Sequence, residues 1–402
     1  MRLPSAEGES TLALYRDKVL ARTAARLTPN IKENDHMIPS TPRGFRDCLP
    51  TEAAWRQAVD RRVRDSFAAW GYLPIETPTL ERLEVLEMAG TLSDTPFRFF
   101  DSDNNLLALR PDCTLPAARL TALRLRGKQA PFRLCYSQRV FREQGSLYGE
   151  DREFTQMGIE FIGGTGAMAD AEVICMLFDA LSAAGVRDFT VALGTVKVLN
   201  ALVAGAGGDE LWQAAVRDAF HSSDFVAVDG LSAAEGIHPV YGRAIKELNR
   251  IRGGLEAIER CRELVEPLGC DDGLDQLEAV FKLVSSTEEA GTLLVDFSVI
   301  SSFDYYTGIV FKAYAPGLGQ SLGSGGRYDT TLEAFGRKEP AAGFALGLER
   351  VMQALEAQGA QPPSVRPDAV VTPLEGETPE QTFARAAQLR REGKRVVIGG
   401  ER

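Results

Sequence analysis

The sequence predicts an α+β fold in which helices flank an antiparallel β-sheet. Two segments of alternating apolar and polar residues, 132–142 and 152–162, are separated by a polar loop that contains Gly145 and Gly149. This pattern is typical of two strands joined as an antiparallel hairpin. A long apolar helical segment, 168–184, follows the hairpin directly and predicts a helix packed on the sheet.

One face of the second hairpin strand is polar. Phe154, Gln156, Gly158 and Glu160 share that face, because side chains alternate along a strand with a period of two. An amide, a glycine and a carboxylate make a poor core but a suitable floor for a small ligand with a charged amine. Arg142, at the end of the partner strand, is placed to meet a carboxylate or phosphate. The alternative is an edge hairpin whose polar face is simply hydrated.

Composition restricts the function. The 402 residues carry a formal charge of -11, which disfavours a broad nucleic-acid surface, and 44% of them are apolar, enough for a sizeable core. The six cysteines form no CxxC pair and the three histidines no cluster, so we expect no metal site and a reducing, cytoplasmic location. No apolar run approaches the length of a membrane span, and we expect no membrane partner.

Helical and strand patterns alternate along the first half of the chain. Trp55, Val59, Val63 and Phe67 recur at helical spacing and predict a helix that starts at Pro50 and ends at Gly71. Further strands are predicted at the ranges 72–78, 97–100, 106–109 and 189–193, and a further helix from residue 114.

The second half alternates in the same way after a helical stretch. Strand patterns return at 293–300, 303–311 and 321–329, and the last two contain glycine and tyrosine, which suits close contact with a ligand. We therefore predict the following organisation: an extension at 1–36, with Met37 as a candidate start; a core at 37–194 and 289–358; a helical insertion at 195–288; and a strand–helix–strand unit at 368–402 after a Pro-rich linker.

Several motifs carry a resemblance to a known family. Phe141-Arg142, Phe154 and the stretch 156–160 (Gln-Met-Gly-Ile-Glu) resemble motif 2 of the class II aminoacyl-tRNA synthetase fold, in the form used by histidyl-tRNA synthetases and their relatives. The stretch 41–50 resembles the opening of these proteins, and 342–350 resembles their motif 3. The segments 303–311 and 321–329 resemble their two histidine-binding motifs, and they follow the hairpin in the family order.

The resemblance implies a dimer and a histidine pocket. It places the dimer interface at Trp55–Pro78 and, in the pocket, Glu160 and Asp112 at the α-amine with Thr114 and Gln156 completing that polar end. Arg142 would meet the carboxylate, and Tyr305 and Tyr306 would close over the imidazole. Arg350 would mark a vestigial nucleotide site. No cofactor is implied.

Other positions depart from the synthetase pattern. Ser301 stands where synthetases have an arginine beside the α-phosphate, and Gly145 and Glu150 stand where basic residues are usual in the motif 2 loop. Asp112 replaces the usual glutamate. A serine hydroxyl cannot neutralise charge on a transferring phosphoryl group, and Glu150 would repel a phosphate, so we predict no adenylation and no catalytic residue.

Three functions stay open on these grounds. The first is that of the synthetase-like regulatory subunits of ATP phosphoribosyltransferase, which catalyse nothing, activate a short catalytic subunit and relay feedback by L-histidine in histidine biosynthesis. It implies a homodimer within a hetero-oligomer and no tRNA, because 368–402 resembles only the first half of a tRNA-reading domain. The second is histidine–tRNA ligase, favoured by Arg142 and Arg350. The third is another synthetase-like ligand-binding protein.

Overall fold

The computed structural model describes residues 40–88, 96–143, 151–287, 291–299 and 305–399. The chain divides into a unit of residues 1–43 and a unit of residues 44–402, and every element below belongs to the second. The predicted extension at 1–36 and the candidate start at Met37 lie outside the described residues, as do Gly145, Glu150 and Ser301.

A nine-stranded sheet dominates the described part of the larger unit. With strands numbered in chain order, its spatial order is β1 (Leu73–Pro74), β5 (Phe132–Phe141), β6 (Glu153–Ile162), β12 (Ala341–Gly347), β11 (Gly323–Arg327), β10 (Ile309–Tyr314), β7 (Thr190–Thr195), β9 (Thr292–Asp296) and β8 (Arg252–Gly253). The six strands from β5 to β7 are antiparallel, whereas β1 pairs with β5 and β7 with β9 in parallel. The predicted antiparallel sheet is therefore confirmed, with β6 and β11 near its centre, but it is mixed towards its ends.

Two smaller sheets accompany it. The first contains β2 (Leu80–Arg82), β4 (Leu106–Leu109) and β3 (Arg98–Phe100) in antiparallel order, and the second pairs β13 (Ala369–Val371) with β14 (Val396–Ile398) in parallel.

The described helices are α1 (Pro50–Ala69), α2 (Leu83–Glu87), α3 (Thr114–Arg124), α4 (Gly166–Ala184), α5 (Val196–Gly205), α6 (Glu210–His221), α7 (Phe225–Ser232), α8 (Pro239–Leu248), α9 (Leu255–Val265), α10 (Leu274–Ser285), α11 (Leu348–Ala357) and α12 (Pro379–Arg391). Single 3₁₀ turns occupy Glu266–Leu268 and Thr331–Phe335. In the described part of the chain, no helix combines the length and the apolar character needed to cross a membrane.

Helices α1 and α4 cover one face of the large sheet. Val59, Val63 and Phe67 of α1 are completely buried, as the helical spacing predicts, and they belong to one core with Met157 and Ile159 of β6. Because β6 side chains alternate, the residues between them on the strand face the other way. That second face carries the polar positions of the hairpin.

Helices α5 to α10 follow β7 and precede β9 in the chain, within the predicted insertion at 195–288. At the other end, β13, α12 and β14 form the predicted strand–helix–strand unit, whose small core contains Val371, Ala386 and Val396. The division of the chain into domains stays a prediction.

Three strands are clearly shorter than the sequence predicts. The segment 72–78 pairs only at Leu73 and Pro74, the segment 293–300 only from Thr292 to Asp296, and the segment 321–329 only from Gly323 to Arg327. In the first case Pro74 and Pro78 lack the N–H groups that would continue the ladder, and one further bond runs from Ile75 N to Cys135 O at 2.8 Å.

Candidate ligand-binding site

Glycines occupy the centre of the sheet face that lies opposite α1 and α4, and this face forms the floor of the site. Glu160 on β6 pairs with Gly343 on β12, and Gly343 in turn pairs with Gly326 on β11. A Cβ at Gly343 would lie 2.3 Å from Glu160 Oε2, and a Cβ at Gly158 would lie 2.7 Å from Tyr136 Oη. The glycines are therefore required at these positions, because any side chain would displace the carboxylate or the tyrosine.

A cavity of about 970 Å³ lies over this floor. All eight residues that the sequence places in the histidine or nucleotide site line it, namely Asp112, Thr114, Arg142, Gln156, Glu160, Tyr305, Tyr306 and Arg350. The structure thus brings together residues that are up to 238 positions apart (350 − 112). What the cavity binds stays a prediction.

The turn that carries Asp112 is held from several sides. Asp112 Oδ1 accepts from Leu115 N at 3.2 Å at the start of α3, and Gln156 Oε1 accepts from Cys113 N at 2.8 Å. Arg142 Nε donates to Pro111 O at 2.9 Å, and the Arg142 guanidinium lies 5.0 Å from the centre of the Phe154 ring. Gln156 and Arg142 therefore fix the turn as well as lining the cavity.

Glu160 is the most deeply buried acid of the cavity, with 2% of its surface exposed. Burial raises its pKa to about 7, and the nearby charge of Asp112 acts in the same direction. Hydrogen bonds from Tyr328, Thr114 and Tyr136 oppose this rise in the pKa; Tyr136 Oη lies 3.1 Å from Glu160 Oε1. Asp112 itself is 4% exposed, so the floor holds two buried carboxyl groups close to each other.

Aromatic side chains form one wall. The rings of Tyr305 and Tyr306 have centroids 4.8 Å apart, and Tyr305 meets Tyr328 edge to face at 5.7 Å. A Cβ at Gly326 would lie 2.7 Å from the Tyr306 ring, so glycine lets this ring pack onto the sheet. Burial raises the pKa of Tyr305 and of Tyr328 well above the usual value, so both hydroxyls stay protonated as donors.

The rest of the cavity carries cations and polar groups. Lys312 lies on β10 opposite Ser324 of β11, and burial lowers its pKa. Arg350 Nη1 donates to Ser321 O at 3.1 Å, and its neighbour Glu349 forms a buried ion pair with Arg56 at 2.6 Å.

Four lining or supporting residues escape the sequence analysis. Tyr136 and Tyr328 hold Glu160, Lys312 lies on the floor, and His221 lines the cavity from the last turn of α6. Among these four residues, only the tyrosines could have been predicted from the sequence. Tyr136 lies across the hairpin from Gly158, and Tyr328 belongs to the glycine-rich segment 321–329.

Chemically, the site combines two buried acids, an aromatic wall and nearby arginines. Buried acids require a cation or a proton, so the arrangement suits a small molecule with an ammonium group and a flat ring. Among the described residues, no group of three or more His, Cys, Asp and Glu side chains is placed to hold a metal ion.

Comparisons with known proteins agree with the resemblance seen in the sequence motifs. A family model described as histidyl-tRNA synthetase matches residues 44–351. A protein from Moorella thermoacetica named ATP phosphoribosyltransferase regulatory subunit is 36% identical over 362 residues, which cover 90% of this chain and 92% of that protein. A protein of the same name from Desulforamulus reducens is 34% identical and covers 88% of both chains.

Solved structures show the same similarity. A crystal structure from Bacillus halodurans, titled as an ATP phosphoribosyltransferase regulatory subunit/histidyl-tRNA synthetase, superposes with a TM-score of 0.80 at 31% identity, covering 91% of this chain and 93% of that one. A histidyl-tRNA synthetase from a Nostoc species gives a TM-score of 0.77 at 26% identity, covering 90% of this chain and 86% of that one.

Proposed function

This chain belongs to the histidyl-tRNA synthetase family, and from its relatives within that family we infer that it serves ATP phosphoribosyltransferase as a regulatory subunit. It is a non-catalytic subunit in the first step of histidine biosynthesis, and catalysis belongs to a partner subunit. The two relatives of this name described above are 36% and 34% identical to it and cover 90% and 88% of its length. Histidine–tRNA ligase has weaker support, since the synthetase from Nostoc is 26% identical.

The finer proposal is that the cavity binds free L-histidine as an effector. The observation that carries it is the pair of buried carboxyl groups, Asp112 and Glu160, beside the tyrosine wall. Without a ligand Glu160 has a pKa of about 7, which means that its charge lacks sufficient compensation. A histidine ligand supplies a cationic α-ammonium group for the acids and an imidazole for the space beside Tyr305 and Tyr306.

The remaining polar residues fit the same ligand. Thr114 and Gln156 lie beside the two acids at the amine end, and in this proposal Arg142 meets the carboxylate of the ligand. Arg350 and Lys312 also line the cavity, and we propose that Arg350 marks a vestigial nucleotide site. In this proposal no cofactor takes part.

We further propose that the partner is a short-form catalytic subunit of ATP phosphoribosyltransferase and that the chain forms a homodimer through Trp55–Pro78 within the larger complex. Neither tRNA nor a membrane has a role in this proposal, and its location is the cytoplasm. The exposed apolar residues Leu73 and Leu80 at or beside that segment support an interface there.

Calorimetric titration of the chain with L-histidine tests the effector proposal. Glu160→Gln should weaken binding roughly 10- to 150-fold, the effect of losing a charge-assisted hydrogen bond. Glu235→Gln, which changes an exposed glutamate in a loop, is the matched control. Absence of histidine binding to the wild-type chain would refute the proposal.

Testing a role in feedback requires the complex with the catalytic subunit. The same variants are reconstituted with a short catalytic subunit, and inhibition by histidine is measured. Glu160→Gln should blunt inhibition and leave the histidine-free rate unchanged. If binding to the isolated chain is lost while inhibition persists, the feedback site lies on the catalytic partner and this pocket has another role.

A further inference from the structure

A buried ionic cluster lies behind the cavity, and the cavity's lining residues do not include its charged members. Arg327, the last residue of β11, is 5% exposed, and Asp170 on α4 is 3% exposed. Arg327 Nε donates to Asp170 Oδ1 at 2.8 Å, and Arg327 Nη1 donates to Asp329 Oδ1 at 2.9 Å and to Gly164 O at 3.1 Å. Buried ion pairs give little net stability, and in some proteins they serve instead to fix one arrangement of the chain.

The arrangement that this cluster fixes is the aromatic wall. Arg327 and Asp329 stand on either side of Tyr328, whose hydroxyl donates to Glu160. The main chain of Arg327 also accepts from Thr307 N at 2.8 Å, and Thr307 Oγ1 accepts from Asp329 N at 3.1 Å. Since Thr307 directly follows Tyr305 and Tyr306, one cluster positions all three tyrosines.

The cluster extends to the helical segment. Gln276 on α10 donates through Nε2 to Asp170 Oδ2 at 2.5 Å, so both oxygens of Asp170 are engaged, one by α10 and one by β11. Helix α10 also packs along α4, which carries Asp170. A continuous path of hydrogen bonds therefore runs from α10 through Asp170 and Arg327 to the wall of the cavity.

We propose that Gln276, Asp170 and Arg327 form a positioning cluster. Through this cluster, the affinity of the cavity for its ligand depends on how α10 packs against α4. The cluster acts through Tyr328 and Thr307 and does not touch the ligand. The proposal rests on the proposed histidine site. Coupling between two sites is reciprocal, so histidine should in turn hold α10 more tightly.

The first test needs no ligand. In Gln276→Ala, amide hydrogen exchange should become faster at residues 305–308 and 326–330, because Asp170 loses the contact that helps to hold Arg327. Asp275→Ala, a change to an exposed residue one position away on the same helix, is the control and should leave both segments unchanged. Unchanged exchange in Gln276→Ala would overturn the proposal.

The second test measures the coupling. Gln276→Ala and Asp170→Asn should weaken L-histidine binding roughly two- to thirtyfold, the range that mutations along contact networks produce. Binding is measured well below the thermal midpoint of each variant, so that a loss of affinity reports positioning and not a smaller folded fraction. In the wild type, histidine should slow exchange in residues 274–285, and Asp170→Asn should abolish this effect.

The outcomes separate the two proposals. A wild-type chain that binds no histidine refutes the histidine site, and the ligand-free exchange experiment then decides alone whether the cluster positions the wall. A wild type that binds histidine with unchanged affinity in both variants refutes the coupling and leaves the histidine site intact.

Discussion

Replacing Glu160 with glutamine should make the ligand-free protein more stable at neutral pH. Burial, reinforced by the charge of Asp112, raises the pKa of Glu160 from 4.5 to about 7, in spite of hydrogen bonds from Tyr328, Thr114 and Tyr136. The folded chain therefore keeps a proton on Glu160 at pH values where the unfolded chain has released it.

The size of the effect follows from the two pKa values. Their difference (about 7 minus 4.5) is about 2.5 units, and at about 1.4 kcal/mol per unit this gives about 3 kcal/mol. Because the folded state binds more protons, the free energy of unfolding falls as the pH rises from 4.5, and the full loss is reached above about pH 7. Glu160→Gln has no carboxyl group at this position and so does not lose stability in this way. Its free energy of unfolding, relative to that of the wild type, should therefore rise by about 3 kcal/mol between pH 4.5 and a pH above 7.

Urea unfolding at pH 5, 6, 7 and 8 without histidine measures this advantage. The free energy of unfolding should fall with urea concentration at the same slope in the variant and the wild type, because the substitution does not change the surface exposed on unfolding. Glu235→Gln, at an exposed position, should follow the wild-type pH dependence. A difference between Glu160→Gln and wild type that stays constant from pH 5 to 8 would refute the reasoning about the buried carboxyl group.

Four further predictions concern the same site and its surroundings. Binding of L-histidine near pH 6.5 should release up to one proton from Glu160, so the calorimetric heat should depend more strongly on the ionisation enthalpy of the buffer in the wild type than in Glu160→Gln, which retains only the proton exchange of the ligand's own imidazole; an equal buffer dependence in the two would contradict this. Arg56→Met leaves Glu349 buried without its 2.6 Å ion-pair partner and should cost roughly 3–5 kcal/mol in urea unfolding, whereas a loss below about 1 kcal/mol would show that Glu349 is compensated elsewhere. Gly158→Ala would place a Cβ 2.4 Å from Phe344 O and should abolish histidine binding, whereas Gly127→Ala, with no atom within 4 Å of the added Cβ, should bind normally. Pyrophosphate exchange with histidine and ATP should stay at background, because Ser301 and Glu150 stand where the related synthetases have basic residues; histidine-dependent exchange would favour the ligase.

The sequence predicts well what is local. The hairpin of β5 and β6, and the shared face of Gln156 and Glu160, follow from alternation within thirty residues, and the structure has both. The burial of Val59, Val63 and Phe67 follows from their spacing in one helix.

What the sequence does not predict depends on distant contacts. Glu160 accepts a hydrogen bond from Tyr328, which is 168 positions away, and the local sequence around either residue does not predict this bond. Asp170 and Gln276 read as ordinary helical positions, yet they join two helices to β11. The parallel pairs near the sheet ends escape prediction for the same reason, since alternation within a strand does not specify its neighbour.

Binding and phosphoryl chemistry depend on separable parts of this fold. The floor of the cavity is constrained by packing: Gly343 and Gly158 admit no side chain, and Glu160 without Tyr136 and Tyr328 would be a buried carboxyl group without donors. Changing Gly158, Gly343 or the two tyrosines would disturb the packing of the sheet around Glu160. In the chain, Glu150 stands between the described strands β5 and β6, and Ser301 stands between β9 and β10. Under the proposed function, basic residues are absent at two positions in the sequence that are separate from the floor, so the histidine pocket and the adenylation reaction would depend on different residues.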